Sequence, residues 1–292
     1  TALLHHVTET RLRSCYIALS HKAAAGVDGV TWEQYGERLE ENLQDLHARL
    51  HRGAYRAQPS RRVFIPKPDG QKRPLGIAVL EDKIVQRAVA EVMNAIYEVD
   101  FLGFSYGFRP HRSAHGALDA LAVGIEHRRV NFVLDADIRD FYGTIDHGWM
   151  MKFVEHRIAD ERILRLIRKW LSAGVVEEGV WTETTEEVPQ GASISCLLAN
   201  IYLHYVFDLW TQQWRRKHAS GDMIAVRTRS KRSLRRGAAP VATPATGELD
   251  DGSLVVAFPD AGVEVYRVNV GPRARSLAAR KTALRQAPDV RF

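Results

Sequence analysis

Apolar residues recur at helical spacing along much of the chain. The clearest case runs from Glu81 to Tyr97, where apolar pairs such as Ile84 and Val85 are repeated one helical turn apart. The same periodicity predicts helices elsewhere, the second of them with Thr31 as its N-cap. These further helices are expected over residues 3–25, 32–51, 113–126 and 192–217, with two more between 147 and 173.

Short alternating or β-branched runs between these helices predict strands. Residues 58–75 predict a strand around Val63–Ile65 followed by a hairpin turn at Asp69–Gly70, and residues 175–188 predict a second hairpin. Residues 131–138 alternate strictly, which predicts a strand with one apolar face. Because helices and strands alternate irregularly, the pattern favours an α+β fold over a doubly wound sheet.

The composition narrows the class of protein. Of 292 residues, 45% are hydrophobic and 26% are charged, which excludes disorder over the whole length and a collagen-like structure. No run of 18 apolar residues free of charge occurs, so we expect no membrane span. Cys15 and Cys196 are too few for a disulfide framework or a four-thiolate zinc site. Their scarcity fits a reducing compartment, so we expect a cytoplasmic protein.

The net charge of +6 is unevenly distributed. Residues 1–227 hold 29 Lys and Arg against 29 Asp and Glu, whereas residues 228–292 hold 12 against 6. A basic excess usually argues for a polyanionic partner, but here it belongs to an Ala, Arg and Pro-rich tail with weak periodicity. The main local basic patch before the tail lies in residues 49–73, with eight Lys and Arg and one acid.

The strand over residues 131–138 carries a pair of carboxylates. Asp135 and Asp137 face the same side of this strand, about 7 Å apart at roughly 3.4 Å per residue. A carboxylate at the end of a buried strand suits Mg²⁺. For an isolated pair of aspartates, a solvated face on an edge strand is the better explanation. Asp146 is expected to cap the helix that begins near His147.

Two further segments have the residue types that bind phosphate. Lys67 and Arg73 flank the Asp69–Gly70 turn, where they would clamp a triphosphate, although a solvated charged hairpin has the same composition. Pro189–Ser195 precedes a predicted helix, and its Gly191 permits close approach of backbone to a ligand. A serine acting as a plain N-cap is the alternative for this segment.

Taken together and in this order, these segments resemble the reverse transcriptase domain of group II intron-encoded proteins. The resemblance covers essentially residues 1–227. It includes blocks whose residues do not by themselves indicate a catalytic or binding role. The matching blocks are GVDGVT at 26–31, RPLGI at 73–77, DKIVQ at 82–86, SYGFRP at 105–110, DADI at 135–138 and PQG at 189–191.

The resemblance implies a right-hand polymerase, with fingers in residues 1–80, fingers and palm in residues 81–227, and no visible thumb. It implies an RNA-directed DNA polymerase, a nucleotidyltransferase that adds a dNTP to a DNA primer on an RNA template such as group II intron RNA. By similarity, Asp137 and the backbone carbonyl of Ile138 would hold Mg²⁺, and two such ions would activate the primer hydroxyl and stabilise the leaving oxygen.

The same resemblance implies which residues contact the dNTP. Lys67 and Arg73 match residues that grip the triphosphate. Tyr142 matches an aromatic gate that excludes a ribose 2′-hydroxyl, and Gln190 matches a residue beside the incoming nucleotide and the template.

The chain departs from the family after Arg227. The family continues there into Tyr-Ala-Asp-Asp, which supplies the remaining metal-binding carboxylates, but Thr228–Arg232 contains no carboxylate. Asp250–Asp251 is a poor substitute, because an approach strand is missing and Asp-Gly is a common hairpin turn. We therefore expect a crippled polymerase, or alternatively a non-catalytic intron RNA-binding protein.

Residues 228–292 form a non-homologous tail with two competing explanations. A frameshift or fusion near codon 227 in a GC-rich gene accounts for the abrupt loss of family motifs and for the Ala, Arg and Pro content. A dedicated basic RNA-binding appendage is the alternative, and it requires a steep salt dependence of RNA affinity.

Overall fold

A computed structural model describes most of the first 218 residues. The described residues are 2–66, 70, 72–127, 137–138, 141–177, 179–183, 191–218 and 263–264. They belong to two compact units. The main unit comprises Thr1–Phe101 and Phe141–Tyr205, and the second unit comprises Leu102–Asp140 and Val206–Phe292.

The N-terminal helix is much shorter than its periodicity predicts. A 3₁₀ turn over Leu4–His6 precedes α1 (Glu9–Ile17), which begins at Thr8 because that hydroxyl accepts the amide of Arg11. The predicted helix over residues 3–25 is therefore wrong at both ends. Beyond α1 the chain is a loop whose carbonyl groups accept hydrogen bonds from basic side chains. Arg87 donates to the carbonyl of Ala18 at 3.3 Å, Lys83 donates to that of Ala24 at 2.7 Å, and Arg61 donates to that of Ala25 at 2.7 Å.

The next predicted helix is broken into two, α2 (Trp32–Gly36) and α3 (Leu39–His51). The predicted N-cap Thr31 is confirmed, and it forms a capping box with Gln34. The break has a tertiary cause. The carbonyl of Tyr35, which a continuous helix would use internally, accepts the side-chain amide of Asn42 at 2.9 Å.

The remaining helices follow the predicted periodicity closely, except near residue 204. They are α4 (Leu80–Tyr97), α5 (Ala114–His127), α6 (His147–Glu155), α7 (Glu161–Leu171), α8 (Ser195–Leu203) and α9 (Leu209–His218). The single helix predicted over 192–217 is thus interrupted by a π-helical turn at His204–Asp208. None of the helices in the described part of the chain is long and apolar enough to cross a membrane.

Both predicted hairpins form, and both are short. The described strands are β1 (Ser60–Pro66), β2 (Lys72–Ile77), β3 (Asp137–Ile138), β4 (Val175–Glu177), β5 (Val180–Thr182) and β6 (Val263–Glu264). In the main unit they form a four-stranded sheet in the order β2-β1-β4-β5. The two hairpins are antiparallel, and β1 runs parallel to β4, with Ser60 opposite Val175. Helices and a mixed sheet confirm the predicted α+β class.

The core of the main unit is built around α4. Its apolar stripe is buried as predicted, with Ile84, Val85, Ala88, Val89 and Met93 fully inaccessible. This helix packs against α1 and α8, while α6 packs against α7 and α8. These contacts join α1, α4, α6, α7 and α8 in one helical core.

The second unit contains α5 and the β3–β6 pair. Ser113 accepts the amide of Gly116 at 3.0 Å at the start of α5, and Arg109 binds the carbonyls of Leu102 and Ser105. In the strand pair, Asp137 lies opposite Glu264. The rest of the predicted strand over 131–138, and nearly all of the tail after residue 227, lie outside the described residues.

Candidate functional site

The β1–β2 hairpin carries Arg73, one of the two predicted phosphate-binding residues, near its turn. Pro66, which immediately precedes Lys67, pairs with Lys72, and Ile65 pairs with Arg73. The backbone of Arg73 is therefore fixed at the turn end of β2. Lys67 itself lies outside the described residues.

The segment that follows Gln190 lies directly on β2. Gly191 has φ +109°, and a Cβ built there would lie 2.8 Å from Leu75 Cδ1 and 3.0 Å from the carbonyl oxygen of Gly76. Only glycine fits such a close approach at a positive φ. Leu75 is two residues beyond Arg73, a separation of about 7 Å along a strand. Two motifs that are far apart in sequence are thus brought together, although Gln190 lies outside the described residues.

A buried glutamine of α4 holds the same segment from the other side. The amide of Ser193 donates to Gln86 Oε1 at 3.0 Å, and the Gln86 side chain is almost fully buried. Gln86 ends the family-matching block at residues 82–86, but the sequence assigned it no role at the site. Besides the block match, its signal was a polar side chain within the apolar stripe of α4. Residue 194, an isoleucine, occupies the N-cap of α8, so the alternative in which a serine caps this helix is wrong.

Next to Gln86, a buried carboxylate is held by a chain of hydrogen bonds. The hydroxyl of Tyr55 donates to Asp82 Oδ1, and the amide of Gln58 donates to Oδ2 at 3.0 Å. Trp170 Nε1 donates in turn to the Tyr55 hydroxyl at 2.9 Å. Burial raises the pKa of Asp82 from 3.8 to about 6, even though both donors act to lower it. Asp82 and Gln86 line one small cavity.

Tyr142, the predicted sugar gate, lies in an aromatic cluster of the main unit. It belongs to a 3₁₀ turn over Phe141–Thr144 and is half-buried. The ring centroid of Phe141 lies 5.5 Å from that of Tyr142 and 6.3 Å from that of Tyr202 on α8. Just after this turn, Asp146 accepts the amide of Trp149 at 2.7 Å, which confirms it as the cap of α6.

The predicted metal-binding residues are in the second unit. The structure describes the backbone of Asp137 and Ile138 in β3, and Ile138 is half-buried. Within the described residues, no group of three or more His, Cys, Asp or Glu is arranged to hold a metal ion. The metal role of Asp137 therefore stays a prediction. The same holds for the dNTP roles of Lys67, Arg73, Tyr142 and Gln190.

Comparison with known proteins agrees with these motifs. Residues 65–227 match the family described as reverse transcriptase (RNA-dependent DNA polymerase). Protein YkfC of Escherichia coli is 40% identical over 226 residues, which cover 76% of this chain and 58% of that protein. Group II intron-encoded protein LtrA of Lactococcus lactis is 39% identical over 190 residues, covering 65% and 31%. The chain thus spans only part of the length of these relatives.

Among solved structures, a partial Cas6-RT-Cas1--Cas2 complex covers 72% of this chain and 35% of its own, at 20% identity. The TM-score is 0.47, too low to support an argument about function.

Proposed function

The chain belongs to the reverse transcriptase family, as a relative of the group II intron-encoded proteins, and we propose that it descends from an enzyme that copies intron RNA into DNA. The proposed reaction adds a dNTP to the 3′-hydroxyl of a DNA primer paired with an RNA template. The main support is the contact of Gly191 with Leu75 and Gly76, because it joins the segment after Gln190 to the strand that carries Arg73.

In this proposal the residues of the main unit bind and orient the dNTP. Arg73, whose backbone lies at the turn end of β2, and Lys67 would grip the triphosphate with charge-assisted hydrogen bonds. Gln190 would lie beside the base, and Tyr142 would exclude a ribose 2′-hydroxyl by contact with the sugar. The aromatic packing of Phe141 against Tyr202 supports the backbone of this turn.

Asp137 and the carbonyl of Ile138 offer oxygen ligands, the donor type that Mg²⁺ prefers. When bound, Mg²⁺ would activate the primer hydroxyl and neutralise charge on the phosphates. One carboxylate is too few for two divalent ions, and Thr228–Arg232 supplies none. We therefore propose that polymerisation by this chain is severely impaired. A non-catalytic protein that binds intron RNA is the second candidate, favoured by the same missing carboxylates.

A binding measurement tests the proposed nucleotide site without requiring turnover. The full chain is mixed with poly(rA)/oligo(dT) and Mg²⁺, and its affinity for dTTP is measured. Arg73→Ala removes a charged hydrogen-bond donor worth about 1.5–3 kcal/mol, so we expect dTTP affinity to fall roughly 10- to 100-fold. Lys72→Ala is the matched control, because Lys72 is an exposed basic residue of the same strand to which the resemblance gives no role. Equal losses in both variants would contradict a specific role for Arg73.

Primer extension on the same template tests whether the chain is impaired. We expect little product, and we expect Asp137→Ala to leave that small amount unchanged. Product that disappears in Asp137→Ala would show instead that the chain polymerises with the carboxylates it has.

The tail and the cellular location also remain proposals. A frameshift or fusion predicts that another reading frame of the gene encodes Tyr-Ala-Asp-Asp just past codon 227, and a gene without it would count against this origin. The scarcity of cysteine supports a cytoplasmic location.

A further inference from the structure

We propose that Gln86 is a positioning residue for nucleotide binding. Its side-chain carbonyl would hold the segment that follows Gln190 in the place where Gln190 meets the dNTP. This inference rests on the proposed function. It adds a residue that neither the sequence motifs nor the predicted contacts assign to the nucleotide site.

The first support is the placement of Gln86 within α4. Only 4% of Gln86 is exposed, and Val85 and Val89 beside it are fully buried. Burying an amide is unfavourable unless it is hydrogen-bonded. The Oε1 atom of Gln86 accepts a hydrogen bond at 3.0 Å from the backbone amide of Ser193, which lies in a distant segment of the chain. A buried position on a packed helix makes Gln86 a fixed point.

The second support is that the same segment is held at another point two residues earlier. Gly191 lies against Leu75 and Gly76 of β2, and Ala192 between the two anchors is buried. The short span from Gly191 to Ser193 is therefore held by β2 at Gly191 and by α4 at Ser193. Gln190 directly precedes this span in the sequence.

Three variants separate positioning from general packing. Gln86→Leu has a similar volume and removes the acceptor. Gln86→Glu keeps an acceptor oxygen at the same reach. Ser193→Ala is the matched control in the partner segment, because the hydrogen bond uses the backbone amide of Ser193 and not its hydroxyl. The thermal unfolding midpoint of each full-length variant shows whether it is folded.

Two readouts are measured on each variant. Hydrogen exchange of the Ser193 amide reports whether the hydrogen bond to Gln86 is formed. The affinity for dTTP in the presence of poly(rA)/oligo(dT) and Mg²⁺ reports whether that hydrogen bond contributes to nucleotide binding. A hydrogen bond with a net value of about 1.4 kcal/mol corresponds to a factor of about 10. In Gln86→Leu we expect Ser193 to exchange about 10-fold faster and dTTP affinity to fall by about the same factor, with little change in the midpoint. Ser193→Ala should match the wild type, and Gln86→Glu should retain protection of Ser193.

Each contrary result has a distinct meaning. Unchanged Ser193 exchange in Gln86→Leu would overturn the anchor itself. Faster exchange with unchanged dTTP affinity, while Arg73→Ala still weakens binding, would overturn the positioning role and leave the proposed function intact. A wild-type chain that does not bind dTTP would overturn the proposed function, and this inference with it. If Gln86→Leu does not fold, loss of Ser193 protection in a folded Gln86→Glu would equally overturn the anchor.

Discussion

Replacing Asp82 by asparagine should remove a pH dependence of stability that the buried carboxylate creates. The pKa of Asp82 is raised from 3.8 to about 6 by burial, so the folded state favours the protonated form. The sign follows from linkage. A raised carboxyl pKa contributes stability that is fully present below pH 3.8 and is lost as the pH rises through about 6.

The size of the effect follows from the same shift. One pKa unit corresponds to about 1.4 kcal/mol, so ionisation of Asp82 in the folded state costs about 3 kcal/mol at neutral pH. Asparagine carries no charge, but its Nδ2 cannot accept a hydrogen bond from the backbone amide of Gln58. Losing that hydrogen bond lowers the unfolding free energy by about 1–3 kcal/mol at every pH. Asp82→Asn should therefore be less stable than the wild type near pH 4, and the difference should shift in its favour by about 2.5 kcal/mol between pH 4 and pH 7.

Urea unfolding monitored by tryptophan fluorescence measures this difference between pH 4 and pH 7.5. The difference between the two proteins isolates Asp82, because Glu81 and Asp28, the acids that raise its pKa further, are present in both. A difference in unfolding free energy that stays flat between pH 4 and 7, or that moves in favour of the wild type as the pH rises, would refute the reasoning.

Two further substitutions probe the same region by urea unfolding. Tyr55→Phe leaves Trp170 Nε1 and one oxygen of Asp82 without their hydroxyl partner, so we expect it to lower the unfolding free energy by about 2–4 kcal/mol. A loss below about 0.5 kcal/mol would contradict the hydrogen-bond chain. Gly191→Ala combines a positive φ with a Cβ forced against Leu75 and Gly76, so it should lower the unfolding free energy by about 2–4 kcal/mol. The control Gly29→Ala, also at positive φ but in open space, should cost only about 1 kcal/mol, and equal losses in the two variants would contradict the close contact.

The sequence predicts elements well where one helix face decides the structure, and poorly where a distant contact does. Helix α4 matches its prediction to one residue because its apolar stripe packs on neighbours along its whole length. The break between α2 and α3 depends on Asn42 reaching the carbonyl of Tyr35, and no local pattern contains that hydrogen bond. The loop after α1 likewise depends on hydrogen bonds from Arg61, Lys83 and Arg87, which belong to other elements.

The same division applies to the candidate site. The motifs identify Arg73 and Gly191 as members of one family pattern, and the structure places Gly191 against Leu75, two residues beyond Arg73 in the same strand. Gln86 lies inside a matching block, yet its tie to Ser193 depends on how α4 meets a segment far along the chain. Periodicity predicts that position 86 is buried, but it does not predict which amide Gln86 accepts.

The main unit is assembled from two stretches of chain, and this affects how it is made by the ribosome. The β1–β2 hairpin acquires its neighbour β4 only after about another hundred residues have been synthesised. The amides of Leu3 and Leu4 acquire their acceptor Asp160 later still relative to their own synthesis, 157 and 156 residues along the chain. Until then the outer edge of β1 is an exposed template for pairing with other chains. The nascent protein therefore passes through an aggregation-prone stage, and abundant chaperones should raise its soluble yield.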